Sequence, residues 1–331
     1  MRKPVLVGID VSAQTFVVAE EVPGRTVHDA EYANTTAGHR KLCRHLTKTG
    51  RPVRVCLEAS GIYHLDLAIA LDGTRNVEVM VANPRATRDF ARAHMQRTKT
   101  DQTDARSLLE FVRRMPFVAW LAPSPEILAL RAIARRITAL TVTSTQERNR
   151  RHAVDHCREL PQLLDQELEA HLAFLQDSIK RLTEEAVKII HHDPWLWTAF
   201  RHLVSVRGIA QASAVAILAD LAPLPPDMSA RVWVAHAGID PRHFESGTSV
   251  NKPTRISRTG NRRLRAALYM PALVAIRHEP NVKAFYEKLL AKGKKPMQAI
   301  LAVMRKLLHA IWGMLHHDRD FQGEKFYNFS S

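Results

Sequence analysis

The sequence predicts an α/β region followed by helical ones. A mixed sheet with flanking helices comes first, then a long-helix hairpin or coiled coil, then a mostly helical C-terminal region. Three observations carry this reading. Short β-branched runs alternate with helical spacing up to about residue 113. From Pro125 to His192 apolar residues then recur at three–four spacing, with Pro161 the one internal proline. Glycine and proline return after Trp195 and cut the chain into shorter helices.

Taken in order, Val5 to Ile9 is a first strand ending at Asp10. Thr15 to Ala19 is a second, followed by the turn Val22-Pro23-Gly24, and Val27 to Tyr32 a third. Gly38 to Leu46 has helical spacing. Val53 to Leu57 is a strand ending at Glu58, Ile62 to Leu71 a helix, and Val77 to Val81 a strand closed by Asn83-Pro84. Asp101 to Arg113 is again helical. Three successive strands and then strand–helix alternation give a mixed sheet. Leu130, Ile133, Ile137 and Leu140 form one apolar seam. Leu168, Leu172, Leu175, Ile179, Leu182, Ala186 and Ile189 form a second after Pro161. Such seams are buried against each other within one chain or between two. Leu203 to Leu221 reads as helix, turn at Gly208, helix. Pro223, Pro225 and Pro226 break the chain, and Val232 to Ala237 is apolar. A glycine- and arginine-rich stretch leads to helices at Arg262 to Ile276 and Met297 to Leu315, and a loose tail starts at Asp318. The expected divisions are 1-123, 124-194 and 195-331.

The 331 residues carry 48 Lys and Arg against 33 Asp and Glu, a formal net charge of +15, while 46% apolar residues supply real cores. So basic a chain meets a polyanion, nucleic acid first of all. Cys43, Cys56 and Cys157 stand far apart with no Cys-x-x-Cys pair, which argues against a zinc site and a disulfide framework. Met1-Arg2-Lys3-Pro4 runs straight into the first strand, not into a signal peptide. No apolar run approaches the roughly 20 residues of a membrane span. A cytoplasmic protein with no membrane partner is expected.

Asp10 and Glu58 end strands, and Asp101 and Asp104 stand three apart at a helix start, facing one way. Four converging carboxylates repel, and a pair of Mg²⁺ ions relieves the repulsion, because hard cations take oxygen ligands. Two metals about 4 Å apart can clamp the attacking and leaving oxygens of a phosphodiester. Simpler uses exist: Asp101 and Asp104 could cap their helix, Asp10 could close a turn, and Glu58 could pair with an arginine.

Lys252, Arg255, Arg258, Arg262, Arg263 and Arg265 lie between Asn251 and Arg265 with no acidic residue among them, a density suited to a phosphate backbone or to a solvated face. Just upstream is Glu245-Ser246-Gly247-Thr248-Ser249. A serine hydroxyl needs activation to act as a nucleophile, and chemistry alone leaves Ser246, Thr248, Ser249 and Ser257 as equal candidates. Tyr269 lies in a helical apolar setting and reads as packing. His191-His192 and His316-His317 are adjacent pairs that cannot face one site. Trp195 and Trp197 read as anchors where the long helices meet the last region.

The segments Val7-Gly-Ile-Asp10, Leu57-Glu58-Ala-Ser-Gly-Ile-Tyr63 and Lys99-Thr-Asp101-Gln-Thr-Asp104-Ala-Arg106 resemble the DEDD signature of the insertion-sequence family 110 transposases, relatives of the Piv invertase. The resemblance implies an RNase-H-like, RuvC-like fold for the first domain, with Asp10, Glu58, Asp101 and Asp104 as Mg²⁺ ligands. The family often has a lysine shortly after the first aspartate, where this chain reads Asp10-Val-Ser-Ala-Gln14. That lysine is not a ligand, so the assignment stands. Ala237 to Gly247 and Arg255 to Arg265 resemble the family's C-terminal transposase domain, which implies Ser246 as the nucleophile and a covalent phosphoserine on DNA. The implied site is composite, with carboxylates from one domain and serine from another, in a homodimer or tetramer. Leu203 to Ala210 resembles a helix-hairpin-helix-like segment. The resemblance runs from Val5 to about Leu315. It implies a prokaryotic site-specific recombinase acting on donor and target DNA, guided by a non-coding bridge RNA. Two other readings compete: a RuvC-like junction-resolving endonuclease that needs only the carboxylates, and a non-catalytic nucleic-acid-binding protein.

Overall fold

The computed structural model describes the chain except residues 1, 49, 60, 96–99, 157–160, 247–249 and 329–331, and the side chains of 243–246 and 250–253. Two compact units form, Met1–Ala122 and Pro123–Ser331.

The first unit is built on strands β1 (Val5–Val11), β2 (Thr15–Glu21) and β3 (His28–Ala33), helix α1 (Thr36–Thr47), β4 (Val53–Glu58), α2 (Leu65–Asp72), β5 (Val77–Ala82), α3 (Pro84–Ala93) and α4 (Asp101–Arg114). The sheet order is β3-β2-β1-β4-β5, antiparallel across β1, β2 and β3 and parallel across β1, β4 and β5. That is the mixed sheet expected from three successive strands and then alternation. The central strands are apolar on both faces because both are covered. Val7, Ile9, Val55 and Leu57 meet Leu42 and Leu46 of α1 and Leu67 and Leu71 of α2 on one face. Ala19, Cys56 and Met80 meet Ala105, Leu108 and Leu109 of α4 on the other. The edge strand β3 is polar and half-exposed.

The sequence reading passed over α3. Its start carries two signals: Asn83 accepts from the Arg85 amide at 2.9 Å, and Pro84 fills the first helical position.

The second unit opens with α5 (Pro125–Val154) and α6 (Gln162–His192), packed together as the expected hairpin. Leu130, Ile137 and Leu140 are buried on α5 and Leu172, Leu175 and Ala186 on α6. The last seam position is Ile190, with Ile189 half-buried. Further along α5 the seam turns polar, at buried Ser144 and Glu147, the latter paired with Arg150 and His171. Asp193 ends α6 and caps α7 (Pro194–Val204) by accepting from the Leu196 amide. Then come α8 (Gln211–Leu221), α9 (Ala230–Ala237), the hairpin of β6 (Pro241–Ser246) and β7 (Val250–Ile256), α10 (Arg262–Ala267), α11 (Tyr269–His278), α12 (Pro280–Ala291), α13 (Pro296–His316) and the short α14 (Gly323–Phe326). One core runs from Leu130 and Ala186 of the long helices through Leu218, Val234, Leu264 and Val303 to Phe326.

Three expectations need correction. The helix predicted over Arg262 to Ile276 is two helices, because Pro271 has no amide for, and its ring clashes with, the carbonyl of Ala267, where α10 stops. The glycine- and arginine-rich stretch contains a β-hairpin. The tail is not loose: Phe326 is buried, and Asp318 and Asp320 hold the two ring nitrogens of His202 at 2.9 and 2.8 Å. Trp197 stacks on His191 at 3.7 Å as a junction anchor should, whereas Trp195 is about half exposed.

Gly8 sits where α4 crosses β1. A Cβ there would lie 2.2 Å from the Ala105 carbonyl oxygen and 2.2 Å from the Leu109 amide nitrogen. Gly8→Ala is therefore expected to destabilise the protein by about 1–3 kcal/mol, as overpacking does. Gly73→Ala, where the added carbon meets nothing nearer than 3.5 Å, should be neutral or mildly stabilising. Urea titration of both variants checks this. Equal stability of the two would show that α4 can move off the sheet without cost.

Candidate functional site

Side chains alternate along a strand, so Gly8 and Asp10 point to the same sheet face, the one α4 covers. Parallel pairing sets Gly8 opposite Cys56 and Ile9 opposite Leu57. Cys56 is buried against α4, and Glu58, two residues on, shares its face. Asp10 and Glu58 therefore stand side by side at the carboxyl ends of adjacent parallel strands. On α4, Asp101 and Asp104 occupy the first turn.

Capping does not explain Asp101 and Asp104. Thr100 is the N-cap: its hydroxyl accepts from the Thr103 amide at 3.2 Å, and Thr103 Oγ1 accepts from the Thr100 amide at 2.9 Å. The box is threonine to threonine, and the carboxylates are left to face the strand ends.

Burial and the negative charges of Asp104, Asp101 and Glu58 together push the Asp10 carboxyl up from 3.8 to about 6. All four carboxylates are thus in electrostatic contact. Burial, with a contribution from Glu58, pushes the Cys56 thiol up to about 12, so it is an inert core residue and not a nucleophile. Thr87 of α3 is buried and donates from Oγ1 to Glu58 Oε2 at 2.6 Å. It orients Glu58, and sequence reasoning missed it. The donor set is all carboxylate, which suits a hard divalent cation. Among the described residues no three His, Cys, Asp or Glu side chains lie close enough to hold an ion as they stand. Coordination would therefore draw the carboxylates further together.

The basic segment divides. Ser246 ends β6, paired with Val250, but its side chain and that of Lys252 lie outside the described set, as do residues 247–249, with Thr248 and Ser249. Arg255, Arg258, Arg262 and Arg263 are exposed. Arg262 and Arg263 open α10, where positive charge opposes the helix dipole. Arg265 is different: half-buried, it donates from Nη1 to the Ala237 carbonyl at 2.7 Å and ties α10 to the end of α9. Ser257 donates its hydroxyl to Asp240 and so serves the turn. Tyr269 packs against the core, as expected. Gly208, at φ 116°, lies between α7 and α8. A Cβ there would meet the Pro271 carbonyl oxygen at 2.7 Å, so close packing on α11 explains this glycine. No described helix is long and apolar enough to cross a membrane.

Residues 7–154 match a DEDD-type transposase family model, and residues 200–287 match a model described as transposase, IS116/IS110/IS902 family. The chain is similar to the pilin gene-inverting protein of Moraxella bovis, 27% identical over 95% of this chain and 97% of that protein. It is similar to the putative transposase y4qE of Sinorhizobium fredii, 24% identical over 95% of this chain and 89% of that one. An uncharacterized 42 kDa protein of insertion element IS900 from Mycobacterium paratuberculosis is 35% identical over 33% of this chain and 22% of its own length.

A carboxyl raised to about 6 holds its proton more tightly folded than unfolded, so stability falls as pH rises from about 4 through 6 and the cost is complete above. Asp10→Asn removes that cost. In chelator at pH 8 it should stabilise the protein by about 1–2 kcal/mol after solvent screening, and at pH 4 by nothing. Thermal melts at the two pH values test this. Destabilisation by the same amount at both would mean that Asp10 is a structural hydrogen-bonding residue.

Proposed function

Since the chain belongs to the IS110 family of transposases and is a DNA-processing enzyme, we propose that it is a site-specific recombinase that exchanges DNA strands through a phosphoserine at Ser246, with Mg²⁺ held by Asp10, Glu58, Asp101 and Asp104. The observation that supports this most is the gathering of the four carboxylates at one sheet end, felt at Asp10. The sheet order, the helix on it and the carboxylate positions agree with an RNase-H-like arrangement. A relative whose name says that it inverts a pilin gene supports strand exchange between defined sites.

Bound there, Mg²⁺ would supply charge neutralisation and Lewis-acid activation at a phosphodiester. Thr87 keeps Glu58 turned toward the cluster, the kind of outer partner on which ligand geometry depends. The Ser246 oxygen bonds to phosphorus as its proton passes to a base and one bridging P–O bond breaks, freeing a strand end as a hydroxyl. The hydroxyl of an exchanged strand then displaces the serine oxygen and restores the Ser246 hydroxyl. One ester replaces another at each step, so the bond energy is conserved and no nucleotide is consumed. Lys252, Arg255, Arg258, Arg262 and Arg263 bind the backbone of donor and target DNA or of a bridge RNA whose base pairing reads the sequence. Carboxylates and serine come from different units, which a homodimer or tetramer would bring to one strand. A RuvC-like nuclease is the second reading. It is favoured by the completeness of the carboxylate set within residues 1–122, which needs only water to cleave.

Incubation with Mg²⁺, element-derived RNA and labelled donor and target DNA should give labelled DNA that stays on the protein in a denaturing gel. The adduct should vanish in Ser246→Ala and in chelator. Cleavage without an adduct, unchanged in Ser246→Ala, would replace this reading with the nuclease. Thr87→Val should lower cleavage by 10–100-fold, roughly the effect of losing an outer-shell partner. Thr87→Ser should restore it.

A further inference from the structure

Beyond the carboxylates and the basic segment, the second unit holds a surface pocket of about 270 Å³ between faces of α5, α8 and α10. Its floor is largely alanine, including Ala216 and Ala266, so a chain of atoms can lie close against the helices. Into it face Arg131 and Arg135, one turn apart on α5, and Arg263 at the start of α10.

These arginines are poorly provided for. The Nε of Arg131 and of Arg135 is buried without a hydrogen-bond partner among the described residues. A buried unmet donor on a charged group is costly and unusual. Burial lowers the pKa of both, and so do like charges: Arg263 beside Arg131, and Arg131 and Arg263 beside Arg135. The one acidic side chain lining the pocket is Asp220, buried on α8, whose charge opposes the lowering at both arginines. Three cations against one anion leave the cluster short of negative charge, and guanidinium forks match the paired oxygens of a phosphate.

We propose that this pocket is a phosphate-binding site that seats one backbone phosphate of a nucleic-acid strand on Arg131, Arg135 and Arg263, with the sugar against the alanine floor. The proposal rests on the reading that the chain handles nucleic acid, but not on serine chemistry. Arg263 belongs both to the basic segment and to this pocket, so a strand tracked by the exposed arginines can continue into it.

The test uses the full-length protein and a labelled oligonucleotide of unrelated sequence, with affinity measured over a range of salt. Arg131→Gln with Arg135→Gln should weaken binding by about tenfold and reduce the log–log salt slope by about one. Ala216→Leu keeps every arginine and fills the pocket, so it should weaken binding without a loss of thermal stability. Arg181→Gln, at an exposed arginine on α6 paired with Asp177, is the control and should leave the slope unchanged. Thermal melts show that each variant is folded. Folded pocket variants that bind like the unaltered protein would overturn the proposal, as would an unaltered protein that binds no oligonucleotide. Inorganic phosphate is the separate arm. If it raises the melting temperature of the unaltered protein but not of the arginine pair, while oligonucleotide binding is the same in both, the site takes a free anion and the nucleic-acid assignment fails. Binding lost in the pocket variants with no covalent adduct in any protein would sink the serine mechanism and leave the pocket standing.

Discussion

Backbone contact between α4 and β1 is the constraint on which the candidate site depends. It exists because residue 8 has no Cβ. The parity of the strands does the rest: from Gly8 to Asp10 and from Cys56 to Glu58 is one full period, so the face that receives the helix also carries the carboxylates. The magnitudes show why the arrangement holds against its own charge. Leu108, Leu109, Phe111 and Val112 are buried on α4, and each such side chain contributes on the order of 1.5–3 kcal/mol. Asp101 and Asp104 sit in the first turn of α4, where the helix dipole favours negative charge by about 0.3–1 kcal/mol apiece. Together these exceed the cost of raising Asp10 to about 6, so the repulsion is held in place rather than relaxed by moving the helix.

How much of this the sequence disclosed follows from the range of the forces. The five strands and the hairpin of α5 and α6 were legible because burial with a fixed period marks them locally. Asp10, Glu58, Asp101 and Asp104 were legible as strand and helix termini, but their convergence depended on a glycine that reads as an ordinary strand residue. Thr87 could not be found by pattern, because its role is a contact across 29 positions. The helix that bears it could have been found from Asn83 and Pro84, whose capping meaning was taken for a turn. The tail was misread for a related reason. Asp318 and Asp320 are unremarkable acids in sequence, and only their meeting with His202 over more than a hundred positions fixes them. Pro271 was a local signal that spacing alone overrode.

The arginines show that residue type does not settle use. Arg262, Arg263 and Arg265 are neighbours on one short helix. Arg265 is turned inward and holds the Ala237 carbonyl, Arg262 is exposed, and Arg263 reaches toward Arg131 and Arg135. A count of basic residues between 251 and 265 therefore overstates the phosphate-binding surface by at least Arg265. It also misses Arg131 and Arg135, which lie on α5 amid an apolar seam and look there like the solvated side of a coiled coil. Their burial shows otherwise, since surface arginines do not bury Nε without a partner.

The two units hold opposite charge under strain of the same kind. In one, carboxylates are kept close enough to raise an acid; in the other, guanidinium groups are kept close enough to depress each other. Neither cluster is explained by folding, because each costs stability and a neutral replacement would fold as well. A phosphodiester together with a divalent cation would answer both, its negative charge meeting the arginines and the cation meeting the carboxylates. Anything that binds the folded state alone stabilises it. In the proposed function, the stability withheld at these two clusters is returned when a nucleic-acid strand and its metal arrive together, so the free energy of binding is concentrated on the groups that must be in register for strand exchange.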